Sequence, residues 1–570
     1  ALMCSDIPWN GPIACVRVGE VNGQFVVNPD NERQFESNLD LVYVGTEEAA
    51  LMIEGSADQI SEKRFVEALH FAHRAIQPIL KAQKELAQMM KVAKQEFNPI
   101  VIPQEVERAV AENFGSRVEK AWFQPDRKVR VQALDHLKKE VGTYLVETFP
   151  DKAEEYKNRL GAIFEELMMG IFRSNILRNG RRPDGRSLKE VRRLSCEVGV
   201  LPKVVHGSAL FERGETQSLV TATLGAKRDS QELDALTGGA QSKSFILHYN
   251  FPHFSVGEVG RMGATSRRET GHGALAERSL MPVLPSEADF PYSIRLVAET
   301  MGSNGSTSMA AVCGGCLSLM DAGVPIVSPV AGISVGLVTP SDRGKHVLLT
   351  DIVGDEDHFG DMDFKIAGTE AGITGFQLDL KIAGLSLEIM TEAVAQSREA
   401  RLGILQVMKT VLPAPRKELS EYAPRFSTIE IPADKIGALI GSGGKTIKRI
   451  TEVTGSQIDI HEDNSGKVTI FTKNSGTLEK TIEEIRAVTR DIEVGKTYRG
   501  IVRTIKEFGV FVECLPGKEG MVHVSELAGF PVRHPDDVCK LGDVMFVKCI
   551  GIDDRGRVRL SRKAATVPSF

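Results

Sequence analysis

The chain has 570 residues, of which 42% are hydrophobic and 26% charged, with a formal net charge of −6. Single hydrophobic cores stop growing near ~250–300 residues, so this length predicts about three to five domains, and the composition is that of an ordinary soluble globular protein. No apolar run approaches the ~18–20 residues that span a bilayer, and the N-terminus has no basic-then-apolar leader; the expectation is a cytoplasmic protein without membrane association.

The negative balance excludes a surface coated with nucleic acid, so any RNA binding must come from local basic patches. Eight scattered cysteines in so long a chain do not form a disulfide framework.

Residues 1–80 make sense against a later segment, through an internal repeat. Leu39-Asp40-Leu-Val-Tyr-Val-Gly45-Thr46-Glu47 matches Met362-Asp363-Phe-Lys-Ile-Ala-Gly368-Thr369-Glu370. Val66-Glu67-Ala68-Leu69 answers Thr391-Glu392-Ala393-Val394, and Gly11-Pro12-Ile13 answers Val324-Pro325-Ile326. Residues 1–80 are therefore expected to be the back half of a domain whose complete second copy occupies 179–412, with roughly 130 residues of the first copy missing on a domain-scale comparison. Lys365 of the second copy corresponds to the apolar Val42 of the first, so the first copy is expected to be catalytically degenerate.

Residues 81–178 are rich in Glu, Lys, Ala and Leu with apolar residues at three- and four-residue steps, as in Lys81-Ala-Gln-Lys-Glu-Leu, and predict an all-helical domain. Residues 179–412 alternate short β-branched strands with helices. Within them, Arg182-Pro-Asp-Gly-Arg186 and His206-Gly-Ser-Ala-Leu-Phe…Arg213-Gly-Glu-Thr-Gln217 have no explanation in composition alone. Ser266-Arg267-Arg268-Glu-Thr-Gly-His272-Gly places paired guanidinium groups, which suit bidentate phosphate binding, beside a histidine able to orient a phosphate or donate a proton. In Gly302-Ser303-Asn304-Gly305-Ser306-Thr307-Ser308, a Gly/Ser turn opens a helix and would aim N–H groups and hydroxyls at an anion; a plain serine-capped loop is the other reading.

Cys313 and Cys316, in the helix that follows, are expected to be buried thiols, with a redox pair as the alternative. Asp357-His-Phe-Gly-Asp361-Met-Asp363-Phe-Lys365 predicts a strand with Asp361, Asp363 and Lys365 on one face and Asp357 in an upstream turn. Converging carboxylates suit Mg²⁺ or Mn²⁺, although a solvated acidic turn gives the same pattern. No nucleophile elbow or Ser-His-Asp order is present, which argues against a covalent hydrolase.

A Pro-rich linker over 413–426 precedes two C-terminal modules. Residues 427–490 contain Ile436-Gly-Ala-Leu-Ile440-Gly441-Ser442-Gly443-Gly444-Lys445-Thr-Ile447-Lys-Arg-Ile450, which resembles a KH domain; its GxxG loop, Gly441, Ser442, Gly443, Gly444 and then Lys445, would clamp nucleotide backbone, with Ile436, Ile440, Ile447 and Ile450 facing the core. A P-loop is excluded, because Leu439 stands where that motif needs glycine. Residues 491–566 change to short β segments and resemble an S1-type OB fold, with Phe508, Phe511 and His523 as stacking faces, one of them expected in the barrel core instead. From Gly495 to Lys563 there are 13 Lys/Arg against 9 Asp/Glu, a local basic excess.

Taken in order, the Arg182–Arg186, His206–Gln217, Arg267–Gly273, Ser303–Ser308 and Gly360–Lys365 segments resemble the phosphorolytic core of the RNase PH superfamily. The resemblance implies a mixed α/β (α+β) multidomain fold: RNase-PH-like βαβα cores akin to ribosomal protein S5, an all-helical domain, a KH domain and an S1 barrel. It implies that Asp357 and Asp363 hold Mg²⁺ or Mn²⁺, that Lys365 meets the scissile phosphate, and that Ser306, Thr307 and Ser308 cradle the attacking inorganic phosphate, with Arg267, Arg268 and His272 lining the same site.

The implied activity is phosphate-dependent 3′→5′ degradation of single-stranded RNA to nucleoside diphosphates, reversible as untemplated polymerisation. The implied assembly is a homotrimer, with degradosome-type protein partners. A hydrolytic exonuclease and an inactive RNA-binding fragment are the alternatives.

Overall fold

The computed structural model describes all residues except 100, 125–126, 203, 236–238, 262, 341–344, 462–464, 473–474, 516, 555 and 566–570. The chain divides into two compact units, Ala1–Glu421 and Tyr422–Phe570.

The first unit begins with β1 (Ala14–Val21), β2 (Gln24–Val27), α1 (Asn31–Phe35), β3 (Leu39–Gly45), β4 (Ala50–Ile60) and α2 (Glu62–Met90). β3 alternates Leu39, Leu41 and Tyr43 inward with Asp40, Val42 and Val44 outward, the period of a half-buried strand. The 29-residue α2 starts at the Ser61 N-cap and runs without a break through the expected border at residue 80. Four helices follow: α3 (Gln104–Trp122), α4 (Arg127–Thr148), α5 (Ala153–Asn158) and α6 (Leu160–Ser174). They enclose a core that includes Val106, Val110, Phe114, Val141 and Phe164.

The second copy opens with β5 (Leu194–Val198), β6 (Gly207–Arg213) and β7 (Thr216–Gly225), a hairpin of β8 (Gln231–Ala235) and β9 (Gly239–Lys243), then β10 (Phe245–Asn250). It continues through α7 (Arg267–Leu280), β11 (Ser293–Gly302), α8 (Thr307–Asp321), β12 (Ala331–Val338), β13 (Val347–Thr350), α9 (Gly354–Phe359), β14 (Met362–Gly368), β15 (Ile373–Leu380) and α10 (Leu387–Val411).

Two sheets result, one of five strands in the order β10-β11-β7-β6-β5, and one of eight in the order β13-β12-β14-β15-β4-β3-β1-β2. The eight-stranded sheet reads as two four-stranded halves joined where β15 pairs antiparallel with β4. β14 and β3 occupy the positions that the sequence repeat assigns them. Helix α8 is buried along its whole length and packs on β6, β7 and β12, which explains why it is apolar on every side. Cys313 and Cys316 are accordingly buried free thiols.

In the second unit, β16 (Arg425–Glu430), α11 (Ile436–Ile440), α12 (Lys445–Thr454), β17 (Gln457–Ile460), β18 (Lys467–Thr472) and α13 (Ser475–Thr489) form a three-stranded sheet with helices around it. Here Ile440 is 40% exposed, and Leu439 takes the core position expected of it. The reason is local: α11 has only five residues and Ile440 is its last, at the rim of the glycine loop. β19 (Thr497–Lys506), β20 (Gly509–Leu515), β21 (Lys518–His523), β22 (Val544–Ile552) and β23 (Val558–Ser561) close into a barrel.

Candidate functional site

β11 delivers the chain to the turn that opens α8. Ser306 stands at the N-cap with φ 47° and ψ 50°, and its side chain makes no capping bond. Ser306 Oγ and Ser308 Oγ are shielded from solvent and have no hydrogen-bond partner among the described residues. Thr307 Oγ1 lies 2.7 Å from Ser303 Oγ. A buried hydroxyl left unpaired costs about 1–3 kcal/mol. Placing two of them at the positive end of a 15-residue helix makes sense when an anion accepts their protons.

β14 supplies the opposite charge pattern. Lys365 Nζ meets Asp363 Oδ2 at 2.7 Å and Asp379 Oδ2 at 3.1 Å. Burial pushes the Asp363 carboxyl up; the Lys365 ammonium opposes that, and the Asp357 and Asp379 carboxylates add to it. Burial alone would lower Lys365, but Asp363 and Asp379 outweigh it and its ammonium is held well above the ordinary range. Asp363 Oδ1 is buried with no hydrogen-bond partner among the described residues.

Asp361 lies elsewhere than expected. The strand starts at Met362, and the Asp361 carboxylate is taken by Arg173, at 2.7 and 3.1 Å, and by Thr339 N and Oγ1, at 2.6 and 2.7 Å. Asp357 is an exposed residue of the short helix α9 rather than of a turn.

α7 closes the gap between the two patterns. Burial, then the Lys365 and Arg268 charges, lower His272 to about 3, so its imidazole is neutral at ordinary pH and presents one N–H and one lone pair. His272 Nδ1 lies 3.4 Å from Tyr249 Oη, and the Tyr249 phenol, pushed up to about 12 chiefly by burial, also hydrogen-bonds Thr307. Thr307, Tyr249 and His272 thus form one hydrogen-bonded series at the hydroxyl-lined helix start, and His272 feels the charge of Lys365, which pairs with Asp363 on the carboxylate strand. Arg268 stacks over Phe251 at 4.2 Å; Arg267, its exposed neighbour, makes no recorded contact with the series.

Sequence reasoning missed the frame behind these groups. Asp351, fully buried with a φ of 57°, is ion-paired with Arg192 (2.7 Å), Arg213 (2.9 Å) and Arg186 (3.3 Å). Burial alone would raise its carboxyl, but the three guanidinium groups hold it well below the usual carboxylate range. Arg192 also donates to the Asn304 carbonyl at 2.5 Å and Arg213 to that of Ser306 at 2.8 Å. Arg182 pairs with Glu356 of α9 in a fork of 2.6 and 2.5 Å, both side chains fully buried. Gly354 N donates to Asn304 Oδ1 at 3.0 Å. The arginine-rich motifs therefore tie the start of α8 to the helix that carries Asp357.

The helical module grips the same helix: Trp122 Nε1 donates to Asp355 at 3.0 Å, His358 meets Glu165 at 2.8 Å, and Phe359 packs on Trp122 and Phe172.

The first copy lacks this set. In register, Asp363 faces Asp379 and Lys365 faces Gln377, whereas Asp40 faces Ser56 and Val42 faces Glu54. Asp40 is paired instead with Arg17 of the neighbouring strand, 3.1 Å away.

In the second unit, Gly441, Gly443 and Gly444 all have positive φ, and Ser442 and Lys445 are exposed beside them. On the barrel, Phe508 and His523 are exposed and Phe511 is half-buried, so none of the three joins the barrel core. The Phe508 and Phe511 rings meet edge-on at 6.4 Å.

Family models match in the same order. The 3′ exoribonuclease family matches by its domain 2 over residues 11–75 and its domain 1 over 190–325, and the RNA binding domain of polyribonucleotide nucleotidyltransferase matches over 105–187. A KH domain matches over 427–487 and an S1 RNA binding domain over 491–563. The chain is 57% identical to the polyribonucleotide nucleotidyltransferase of Opitutus terrae, over 99% of this chain and 79% of that one. It is 49% identical to those of Methylacidiphilum infernorum and Trichlorobacter lovleyi, over 99% of this chain and 80% and 79% of theirs.

Proposed function

The chain belongs to the polyribonucleotide nucleotidyltransferase family, and on that premise we propose that the second copy houses the reaction, between the hydroxyls at the start of α8 and the carboxylates of β14 and α9. The observation that carries this is the pairing of groups unsatisfied among the described residues: two buried hydroxyls without acceptors and one buried carboxylate oxygen without a donor, with Tyr249 bonded to Thr307 and His272, and His272 within the field of Lys365. Ser306, Thr307 and Ser308 hold inorganic phosphate, with the neutral His272 donating an N–H and Arg268 and Arg267 countering charge. Lys365 meets the scissile phosphodiester at the RNA 3′ end.

An oxygen of the bound phosphate attacks that phosphorus in line. The new P–O bond forms as the P–O3′ bond breaks, leaving a nucleoside diphosphate and a shortened RNA; the proton lost by the phosphate balances the one gained by the 3′ oxygen. One P–O bond replaces another, so abundant diphosphates drive the reaction backwards. Positioning and electrostatics supply most of the acceleration.

Among the described residues no group of three or more His, Cys, Asp or Glu stands ready to enclose a metal. The Asp363 Oδ1, unpaired among the described residues, suits Mg²⁺ or Mn²⁺, since Mg²⁺ keeps several waters and takes one or two carboxylates plus substrate phosphate. Asp363 and Asp357 would hold it, and when bound it would neutralise charge on the non-bridging oxygens.

The KH and S1 modules bind RNA; Gly441–Lys445 clamp its backbone, and Phe508, Phe511 and His523 stack its bases. Assembly as a homotrimer, which light scattering on the intact chain tests, and degradosome-type partners in the cytoplasm belong to the same proposal. No helix among the described residues is long and apolar enough to cross a membrane.

The test is product analysis from poly(A), with and without millimolar phosphate. Diphosphates that appear only with phosphate support the reading; monophosphates released without it would favour hydrolysis.

A further inference from the structure

We infer that Phe254 is a stacking platform for a base near the 3′ end of the RNA, an inference that rests on the proposed site. Between β10 and α7 the chain makes a short helical turn, His253–Val256, and a loop with no part in the reaction described above. Phe254 is 61% exposed in it, although its neighbour Ser255 is buried. An isolated exposed phenylalanine needs no explanation; the setting of this one does.

The Ser255 carbonyl accepts from Ser303 N at 2.9 Å, which fixes the turn to the loop that carries Ser306–Ser308. The turn is also braced internally. Glu258 N donates to the His253 carbonyl at 3.0 Å, the His253 ring lies 3.1 Å from the Arg261 carbonyl, and that ring lies over Gly260, where a Cβ would meet it at 2.4 Å. Phe254 therefore projects from a rigid support anchored at the phosphate cradle.

Charge selects the occupant. Arg261, Arg267 and Arg268 are all exposed on the same segment, and Arg268 already lies flat on Phe251. An exposed aromatic face on a segment that also carries three exposed guanidinium groups, joined to a phosphate site, suits a polyanion with planar rings better than an apolar protein surface. Stacking on any base surface is tolerant of sequence, so the platform would hold the strand without selecting bases.

The experiment is steady-state phosphorolysis of a short oligoadenylate by the full chain, its KM measured alongside that of phosphate, for Phe254→Ala, Phe254→Leu and Phe254→Trp. Expected are a rise of about fivefold or more in the oligonucleotide KM for Ala and Leu, recovery in Trp, and an unchanged phosphate KM. Thermal melting of each variant separates loss of folding from loss of stacking. If wild type releases diphosphates and Ala and Leu keep its oligonucleotide KM, the platform is refuted while the proposed site stands. If wild type itself releases none, the site reading fails first. A variant whose only change is oligomeric mass by light scattering would assign this face to another copy of the chain, and also overturns the inference.

Discussion

Replacing Asp351 by Asn tests the arginine frame most directly. The substitution keeps the shape and removes a buried charge that faces Arg192 at 2.7 Å and Arg213 at 2.9 Å. Arg213 is fully buried, and among the described residues its hydrogen bonds go to the Gly305 and Ser306 carbonyls, so its charge would lose its carboxylate. Leaving one partner of a buried ion pair uncompensated costs about 3–5 kcal/mol. Arg192 retains the Asn304 carbonyl at 2.5 Å and Thr216 at 3.4 Å, and Arg186 retains Asp184 at 2.7 Å; these place the expected loss toward the lower figure.

The pH sign agrees. A carboxyl lowered on folding adds stability that is complete above its unfolded value near ~4 and fades as pH falls below it, so the gap between Asp351→Asn and wild type should shrink only in acid. Function should follow position. The arginines that hold the Asn304–Ser306 carbonyls lose the carboxylate that fixes them, so the KM for phosphate should rise more than the KM for RNA. Urea unfolding followed by a probe in the first unit, with phosphate-varied kinetics at sub-denaturing conditions, measures both. A variant within about 1 kcal/mol of wild type and with an unaltered phosphate KM would refute the frame.

Asp363→Asn should lower phosphorolysis by about a hundredfold or more while leaving RNA retention by the KH and S1 modules intact, checked by diphosphate release and filter binding. His272 should show no ionisation between pH 5 and 8 in the phosphate-free protein, as followed by ring NMR; because its folded value is lowered to about 3, its contribution to stability is intact above ~6.5 and erodes as pH falls toward 3. Gly441→Ala should weaken single-strand RNA binding several-fold at low salt, since φ of 71° with ψ of 171° is glycine territory and an added Cβ would meet Thr446 Oγ1 at 2.1 Å. Electrophoretic mobility shift over a salt series reads that loss.

Much of this molecule was legible in the sequence, because the signals were local or repeated. Alternation along Leu39–Gly45 and its echo in Met362–Gly368 marked two equivalent strands. The Gly/Ser turn before an apolar helix marked where the buried α8 begins, and the glycine spacing at 441–444 marked a loop of left-handed backbone. What stayed hidden depends on partners far away in the chain. Arg182 is a buried structural residue only because Glu356, 174 positions later, folds against it, and nothing near Arg182 in the sequence distinguishes that from a solvated guanidinium. Asp361 looked equivalent to Asp363 by alternation, yet Arg173 and Thr339 claim it. Ile440 kept the helical period and still lost its place to Leu439, since a five-residue helix has too few turns for period alone to decide which side faces inward.

The seam between β4 and β15 makes the two copies one continuous hydrogen-bonded plate, so a change that shifts a strand of the first copy is passed on to the second. The first copy's tolerance to change should therefore be uneven. Polar exchanges at Val42, a half-buried position of β3, leave the strand register alone, whereas Gly55 opposite Phe376 admits nothing larger: an added methyl would meet the Asp40 carbonyl at 1.8 Å and the Phe376 ring at 2.8 Å. What the first copy adds across the seam is a continuous strand pairing that reaches the strand holding Asp363 through β15.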